Sequence, residues 1–144
     1  MTEKPHNRPV AKIDYHFQDA SIPPQYHRSY TISASDGKIH IVVDSYGDIV
    51  NEASYDISEQ QMNALVDALE KYHIEQKSFD PEKSKCIGGT SKAIKVYSAN
   101  TLIIDGIAYA CGGKVDGSLS GDIDSFARIL ESMIPDFTNL LQKE

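Results

Sequence analysis

The stretch YTISASDGKIHIVV, residues 30–43, has the clearest structural pattern in the sequence. Apolar residues alternate with polar ones on either side of Asp36-Gly37, which is the pattern of two half-buried strands. Asp-Gly is a preferred pair for a two-residue type I′ turn, in which both central residues have a positive φ. If Ser35 pairs with Lys38, every apolar residue faces another across the hairpin, whereas a one-residue slip would turn one set to the other face. We therefore predict an antiparallel hairpin in this register.

Two more strands are predicted beside this hairpin. From Ala11 the chain alternates apolar and polar residues up to residue 18, and the prolines at 23 and 24 prevent the strand from continuing. The strand that enters the hairpin is expected to begin at about Tyr26. A fourth strand is expected near residues 49–57, after a turn around Gly47. The first half of the chain is thus predicted to be a four-strand meander.

Helical patterns follow each β region. Ser58 and Gln61 form a capping-box pattern, and apolar residues then recur at helical spacing as far as residue 73. A second stripe runs from Phe126 to Leu141. Pro135 lies inside it, so we expect either a kinked helix or two abutting helices.

The segment between the helices predicts a second β region, residues 93–111. A turn at Ala99-Asn100 would make it a hairpin of two strands, whereas a further turn at Asp105-Gly106 would divide it into three. The sequence leaves this choice open. The predicted fold class is α+β: an antiparallel meander, a helix, a β-hairpin and a C-terminal helix, with both helices packed on one sheet face. Residues 1–9 are expected to be a flexible arm and residues 10–144 a single domain.

Composition limits the classes of partner. The chain has 144 residues and a net charge of −7, so it lacks the basic surface that nucleic acids or anionic membranes require. No apolar run at the N-terminus or elsewhere is long enough for a signal peptide or a membrane span. We therefore expect a soluble, cytoplasmic, acidic protein whose partner is another protein.

No motif for catalysis, a metal or a cofactor emerges from the sequence. The histidines and cysteines lack the short spacings of zinc sites, so no metal is predicted. The segment from Gly117 to Gly121 has leucine where a nucleophile elbow needs serine. The glycines after Cys86 precede a β pattern, not the helix of a phosphate-binding loop, so no cofactor is predicted either. Cys86 and Cys111 are expected to be free thiols, and whether they touch is left open.

The candidate binding residues lie on the first strands. If Asp19 faces Pro24 across the first turn, His16 lies opposite His27 on the face away from the helices. An adjacent imidazole pair would sense pH or hold a ligand. The candidate binding residues are Asp14, His16, His27, Arg28 and His40. The same face is expected to show His16, His27, Thr31, His40, Val42 and Tyr97.

Three hypotheses of function follow. The first is a non-enzymatic protein-binding module of the inhibitor, immunity or adaptor type, which uses the open sheet face or its loops. The second is a small enzyme or ligand-binding protein with its site at the His/Tyr/Arg cluster. The third is a structural subunit that forms a homodimer through the sheet. Mixed aromatic, histidine and hydroxyl surface favours a binding role, and the absence of a catalytic motif makes an enzyme the weaker hypothesis.

Overall fold

The computed structural model describes residues 10–80, 89–111 and 114–142. The strands are β1 (Lys12–Gln18), β2 (Ser29–Ser35), β3 (Lys38–Ser45), β4 (Asp48–Asp56), β5 (Glu75–Gln76), β6 (Thr90–Ser98), β7 (Thr101–Cys111), β8 (Lys114–Gly117) and β9 (Leu119–Ser120). The helices are α1 (Glu59–Lys71), α2 (Ile123–Ser132) and α3 (Phe137–Leu140).

Seven of the strands form one antiparallel sheet in the order β4-β3-β2-β1-β6-β7-β8. The first four strands are the predicted meander, and β6 pairs with the free edge of β1, so the N-terminal strand lies at the centre of the sheet. β5 and β9 form a separate two-stranded pair. The predicted α+β class with an antiparallel sheet is confirmed.

The hairpin of β2 and β3 has the predicted register. Ser35 pairs with Lys38, and each buried residue of β2 faces a buried residue of β3. Asp36 and Gly37 both have positive φ, at 50° and 74°, as a type I′ turn requires. The alternation of apolar residues and the turn residues both indicate this register. The register of the hairpin could therefore be predicted from the sequence.

The predicted pairing of β1 with β2 is wrong by four residues. His16 pairs with Thr31, not with His27, and β2 begins at Ser29. The loop between β1 and β2 is longer than expected, because two hydrogen bonds close it at its ends. The Asp19 carboxylate accepts from the Arg28 N–H at 2.9 Å, and the Asp19 N–H donates to Ser29 Oγ at 2.9 Å. These bonds close the loop between residues 19 and 28, and His27 lies inside that loop.

The second β region contains two strands between residues 90 and 111, with the turn at Ala99-Asn100. Asp105-Gly106 lies within β7, so the alternative turn is wrong. The chain then adds β8, which pairs with β7 and extends the sheet. The predicted arm at residues 1–9 and the contact between Cys86 and Cys111 lie outside the described residues.

Both longer helices pack on one sheet face, as predicted. α1 begins with the expected capping box at Ser58, and the stripe interrupted by Pro135 forms two helices, α2 and α3. The strands contribute alternate residues to the core, and the helices contribute their apolar stripes. The fully buried side chains include Ile13, Tyr15, Ile32, Ile39, Ile41, Ile94, Leu65, Phe126 and Leu130.

Asp122 caps the start of α2. Its Oδ1 accepts a hydrogen bond from the Ser125 N–H at 3.1 Å, and its Oδ2 accepts one from the Ser125 hydroxyl at 2.6 Å. Because these bonds favour the ionised carboxylate, they hold the pKa of Asp122 below its usual value. The cap therefore makes helix stability depend on pH.

We expect Asp122→Ala to lower the melting temperature at neutral pH. Since the folded-state pKa is lowered, the cap stabilises the fold fully above the ordinary aspartate pKa, and this is lost as the pH falls through the folded value. The difference between the variant and the wild type should therefore shrink in acid, which thermal unfolding by circular dichroism at several pH values will measure. Asp48→Ala, at an exposed position that begins β4, is the control. A difference that stays constant with pH would contradict this role.

Candidate functional site

One face of the seven-stranded sheet carries none of the three helices. We call it the open face. Its members follow from strand alternation and from the pairing of neighbouring strands. They are Asp14, His16, Thr31, Ser33, His40, Val42, Ala93, Lys95, Tyr97, Asp105, Ile107 and Tyr109.

His16 lies at the centre of the open face, on the central strand. Its Nδ1 forms a 2.7 Å hydrogen bond with Thr31 Oγ1, and its Nε2 forms a 3.1 Å hydrogen bond with Gln18 Oε1. Ala93 of β6 pairs with His16, and Ile107 of β7 pairs with Ala93. Both of these apolar side chains are half-buried. The centre of the face thus combines a fixed imidazole with small and apolar side chains.

His40 occupies an equivalent place nearer the β4 edge. Its Nδ1 forms a 2.6 Å hydrogen bond with Ser54 Oγ, and its Nε2 lies 3.0 Å from a carboxylate oxygen of Glu52. Val42 follows it on the same face and is half-buried. Both open-face histidines are therefore held by partners on their own or adjacent strands, and neither needs a ligand to fix its ring.

Charged side chains of opposite sign are neighbours on the open face. Lys12 Nζ lies 3.6 Å from Asp14 Oδ2, and Lys95 stands directly opposite Asp105. The other oxygen of Asp14, Oδ1, is buried and has no hydrogen-bond partner among the described residues.

Two of the predicted site residues do not join this face. His27 is fully buried in the loop before β2, where its ring stacks on Tyr46 with 3.8 Å between centroids. Arg28 Nε donates to the carbonyl oxygen of Leu141 at 2.9 Å, which ties the loop to the end of α3. The His16–His27 pair therefore does not exist, and of the five predicted residues the structure brings only Asp14, His16 and His40 onto one face.

The structure also reveals a cleft on the opposite side of the sheet, between its strands and α2. We call it the tyrosine cleft. Its volume is about 320 Å³. Its lining residues are Tyr15, Phe17, Tyr30, Lys92, Asp124, Ala127, Arg128 and Glu131.

Two phenols dominate the chemistry of the tyrosine cleft. Tyr30 donates a 2.5 Å hydrogen bond to Glu131 Oε2, and its ring stacks against Phe17 with 5.2 Å between centroids. Tyr15 is fully buried, and its hydroxyl has no hydrogen bond of normal geometry to the described residues, although the Tyr30 hydroxyl lies close enough to affect its ionisation. Both rings belong to the alternating apolar sets of β1 and β2, so the sequence indicated only core residues here.

Burial keeps both phenols protonated. Burial, followed by the negative charges of Glu131 and Asp124, raises the pKa of Tyr15 well above its usual value. Burial and then the hydrogen bond to Glu131 raise the pKa of Tyr30 in the same direction. Both hydroxyls are therefore neutral hydrogen-bonding groups at physiological pH and not nucleophiles.

Residues 10–80, 89–111 and 114–142 show neither a metal-binding cluster nor a membrane-spanning helix. No group of three or more His, Cys, Asp and Glu side chains in these ranges is arranged to hold a metal ion. None of the helices there is both long and apolar enough to cross a bilayer.

Comparisons with known proteins identify no relative. No protein-family model matches the chain, and no significant match is found among curated proteins or solved structures. The function is therefore argued from the geometry of the chain's own surfaces.

Proposed function

We propose that this chain is a non-enzymatic protein-binding module that engages a basic partner protein through its open face. The observation that supports this most directly is a helix-free sheet face whose half-buried centre is apolar, hydroxyl-bearing and histidine-containing. Such a centre is more characteristic of a contact surface than of a face that only meets water.

The size of the open face suits a specific interface. The six strands from β4 to β7 have at least seven residues each; at a spacing of about 4.8 Å they span roughly 24 Å, and seven residues are roughly 23 Å long. The resulting area is roughly 550 Å², about two-thirds of the ~800 Å² that each partner contributes to a standard protein–protein interface. At the β7 end the ring of Phe79 packs against Tyr109, so flanking loops would complete the contact surface.

Charge favours a basic partner over a second copy of the chain. The whole chain carries a net charge of −7, so two copies repel each other at long range. On the open face, the Asp14 carboxylate is partly exposed and Asp105 is exposed. A partner with an apolar centre and lysines or arginines at its rim would cover the face and satisfy these carboxylates.

The arrangement of the His/Tyr/Arg cluster supports a protein-binding role over an enzyme site there. An enzyme site at the first two strands would need Asp14, His16, His27 and Arg28 to converge on one pocket. His27 is buried behind Tyr46, and Arg28 is bonded to Leu141. Of this cluster, Asp14 and His16 remain on the open face, and His16 is held by structural hydrogen bonds.

The test is capture from a lysate of the source organism by three tagged chains: wild type, Ala93→Lys and Ala64→Lys. Ala93 lies at the centre of the open face, whereas Ala64 is exposed on α1, so the same substitution is placed on opposite sides of the molecule. We expect wild type and Ala64→Lys to capture the same basic protein in stoichiometric amount. Ala93→Lys should weaken binding about 100-fold, equivalent to about 2.7 kcal/mol, since it places a buried like charge in the contact.

Two further outcomes would reject the proposal. Equal capture by both variants would place the contact elsewhere on the chain. A homodimer in light scattering that Ala93→Lys dissociates would replace the hetero-partner with a second copy. Raising the salt concentration should slow association with the partner, because charge steering is screened, and salt-independent association would argue against a basic target.

A further inference from the structure

Ser54, His40 and Glu52 form a hydrogen-bonded chain at the β4 edge of the open face. Ser54 of β4 pairs with His40 of β3, and Glu52 pairs with the next open-face residue, Val42. The Nδ1 atom of His40 lies 2.6 Å from Ser54 Oγ, and its Nε2 atom lies 3.0 Å from Glu52 Oε2. A serine hydroxyl, an imidazole and a carboxylate thus follow one another at hydrogen-bonding distance.

The pairing of β3 with β4 explains the short distance between His40 and Ser54. The Ile57 N–H donates to the Gly37 carbonyl at 2.9 Å, and hydrogen-bonded and non-hydrogen-bonded pairs alternate along an antiparallel ladder. Counted along this ladder, His40 and Ser54 form a non-hydrogen-bonded pair, in which the side chains stand closer together. Because β4 is an edge strand, the backbone N–H of Ser54 then points outward from the sheet.

The carboxylate of Glu52 fixes the tautomer of the neutral His40 ring. An ionised carboxylate can only accept a hydrogen bond, so the imidazole proton lies on Nε2. The Nδ1 atom then accepts the hydrogen bond that the Ser54 hydroxyl donates. In this arrangement a base can take the proton of a serine as its oxygen attacks an electrophile, while a third group orients the base.

A molecule from solution can reach the Ser54 hydroxyl. Ser54 is exposed, and the side chains of His40 and Glu52 are 40% and 50% exposed. Ser33 of β2 stands on the other side of His40, but both ring nitrogens are already bonded to β4 side chains. Of the two serines beside this imidazole, Ser54 is therefore the one with a base.

We propose that Ser54 is a reactive serine that takes an acyl group from an activated ester. Its Oγ attacks the carbonyl carbon while its proton passes to Nδ1 of His40, and Glu52 stabilises the imidazolium that forms. The outward N–H of Ser54 is placed to donate to the oxyanion. The carbonyl then re-forms, the leaving aryloxide departs with the bonding electron pair, and His40 releases its proton to the solvent.

This reaction is a covalent modification, because the serine is consumed and an O-acyl serine is left on the chain. The acyl group would lie at the β4 edge of the open face, beside His40. The reactivity of Ser54 is measured on the chain alone, so the proposal does not rest on the partner-binding role.

The test treats the full-length chain with p-nitrophenyl acetate and locates the acetyl groups by peptide mass spectrometry after an acid quench. We expect Ser54 to be acetylated about 100-fold faster than Ser21, an exposed serine in the loop before β2, since general-base assistance contributes at least that factor. Ser33 should react as slowly as Ser21. Equal rates at Ser54 and Ser21 would overturn the proposal.

Two variants separate the base from the group that positions it. His40→Gln should lower the rate at Ser54 about 100-fold. Glu52→Gln should lower it about tenfold, because a neutral amide both donates and accepts and no longer holds the ring in one tautomer. The ¹⁵N spectrum of the His40 ring should show the Nε2–H tautomer in wild type and a mixture in Glu52→Gln.

Glu59→Gln is the matched control, because it makes the same substitution at an exposed position on α1. Circular dichroism of all the variants will establish that each is folded. An unchanged rate at Ser54 in His40→Gln, an equal loss in Glu59→Gln, or a wild-type His40 ring protonated on Nδ1 alone would each refute the assignment.

Discussion

Replacing Phe126 by alanine is expected to lower the free energy of unfolding by about 3–5 kcal/mol, a large part of the total for a domain of this size. Phe126 is fully buried on α2, where the helix packs against the sheet. Alanine keeps the helix propensity high, so the loss reports the cavity left in the core and not a change in the helix itself. Urea unfolding followed by circular dichroism will measure the change.

Ile129→Ala is the matched control for this prediction. Ile129 lies on the same helix but is only half-buried, so truncation leaves a smaller cavity and should cost clearly less than Phe126→Ala. Equal costs at the two positions would contradict the packing of α2 described above.

Gly121→Ala is expected to destabilise the fold by roughly 2–5 kcal/mol, from backbone strain and overpacking together. Gly121 has φ of 104°, and an added Cβ would lie 2.3 Å from the carbonyl oxygen of His73 and 2.5 Å from that of Tyr72. The next residue, Asp122, donates its N–H to the Tyr72 carbonyl at 2.8 Å. The close approach at Gly121 thus joins the end of α1 to the start of α2.

Gly47→Ala separates the two causes of that loss. Gly47 has a similar φ of 91°, but nothing lies within 4 Å of an added Cβ. It should therefore show only the penalty of placing an L-residue at a positive φ, about 1–2 kcal/mol. Thermal unfolding of both variants will measure the difference, and a Gly121→Ala variant no less stable than Gly47→Ala would refute the close approach.

Local structure could be predicted from the sequence where two signals from neighbouring residues indicated the same arrangement. In the β2–β3 hairpin, apolar alternation and the Asp36-Gly37 turn each specified the same pairing. At the start of α1, Ser58 and Gln61 specified the cap through bonds between near neighbours. Such features depend on contacts within a few residues, and these contacts are visible in the sequence itself.

The β1–β2 pairing was not predictable from the same kind of signal. Tyr26 and Tyr30 are both apolar enough to face Phe17, so alternation alone allows either register. The choice is made by the Asp19 carboxylate, which binds the Arg28 N–H, and by the Ser29 hydroxyl, which binds the Asp19 N–H. Side chains of this type close many kinds of loop, and their partners are known only from the fold.

The tyrosine cleft could not be predicted from the sequence, for a different reason. Tyr15 and Tyr30 occupy core positions in an alternating pattern, where their rings are explained by burial alone. Glu131 lies about a hundred residues further on, and only the packing of α2 on the sheet brings its carboxylate to the Tyr30 hydroxyl. By contrast, Asp14, His16 and His40 were correctly placed on one face, because strand alternation needs no distant contact.

We propose that the open face is the surface that meets a partner protein. Methyl cross-saturation in the complex with the purified partner will identify the side chains in contact. We expect the methyl signals of Thr31, Val42, Ala93 and Ile107 to lose intensity, while those of Ala64 on α1 and Thr138 on α3 remain unchanged. Loss of intensity at Ala64 and Thr138, with the open-face methyls unaffected, would place the partner on the helical side and contradict the proposal.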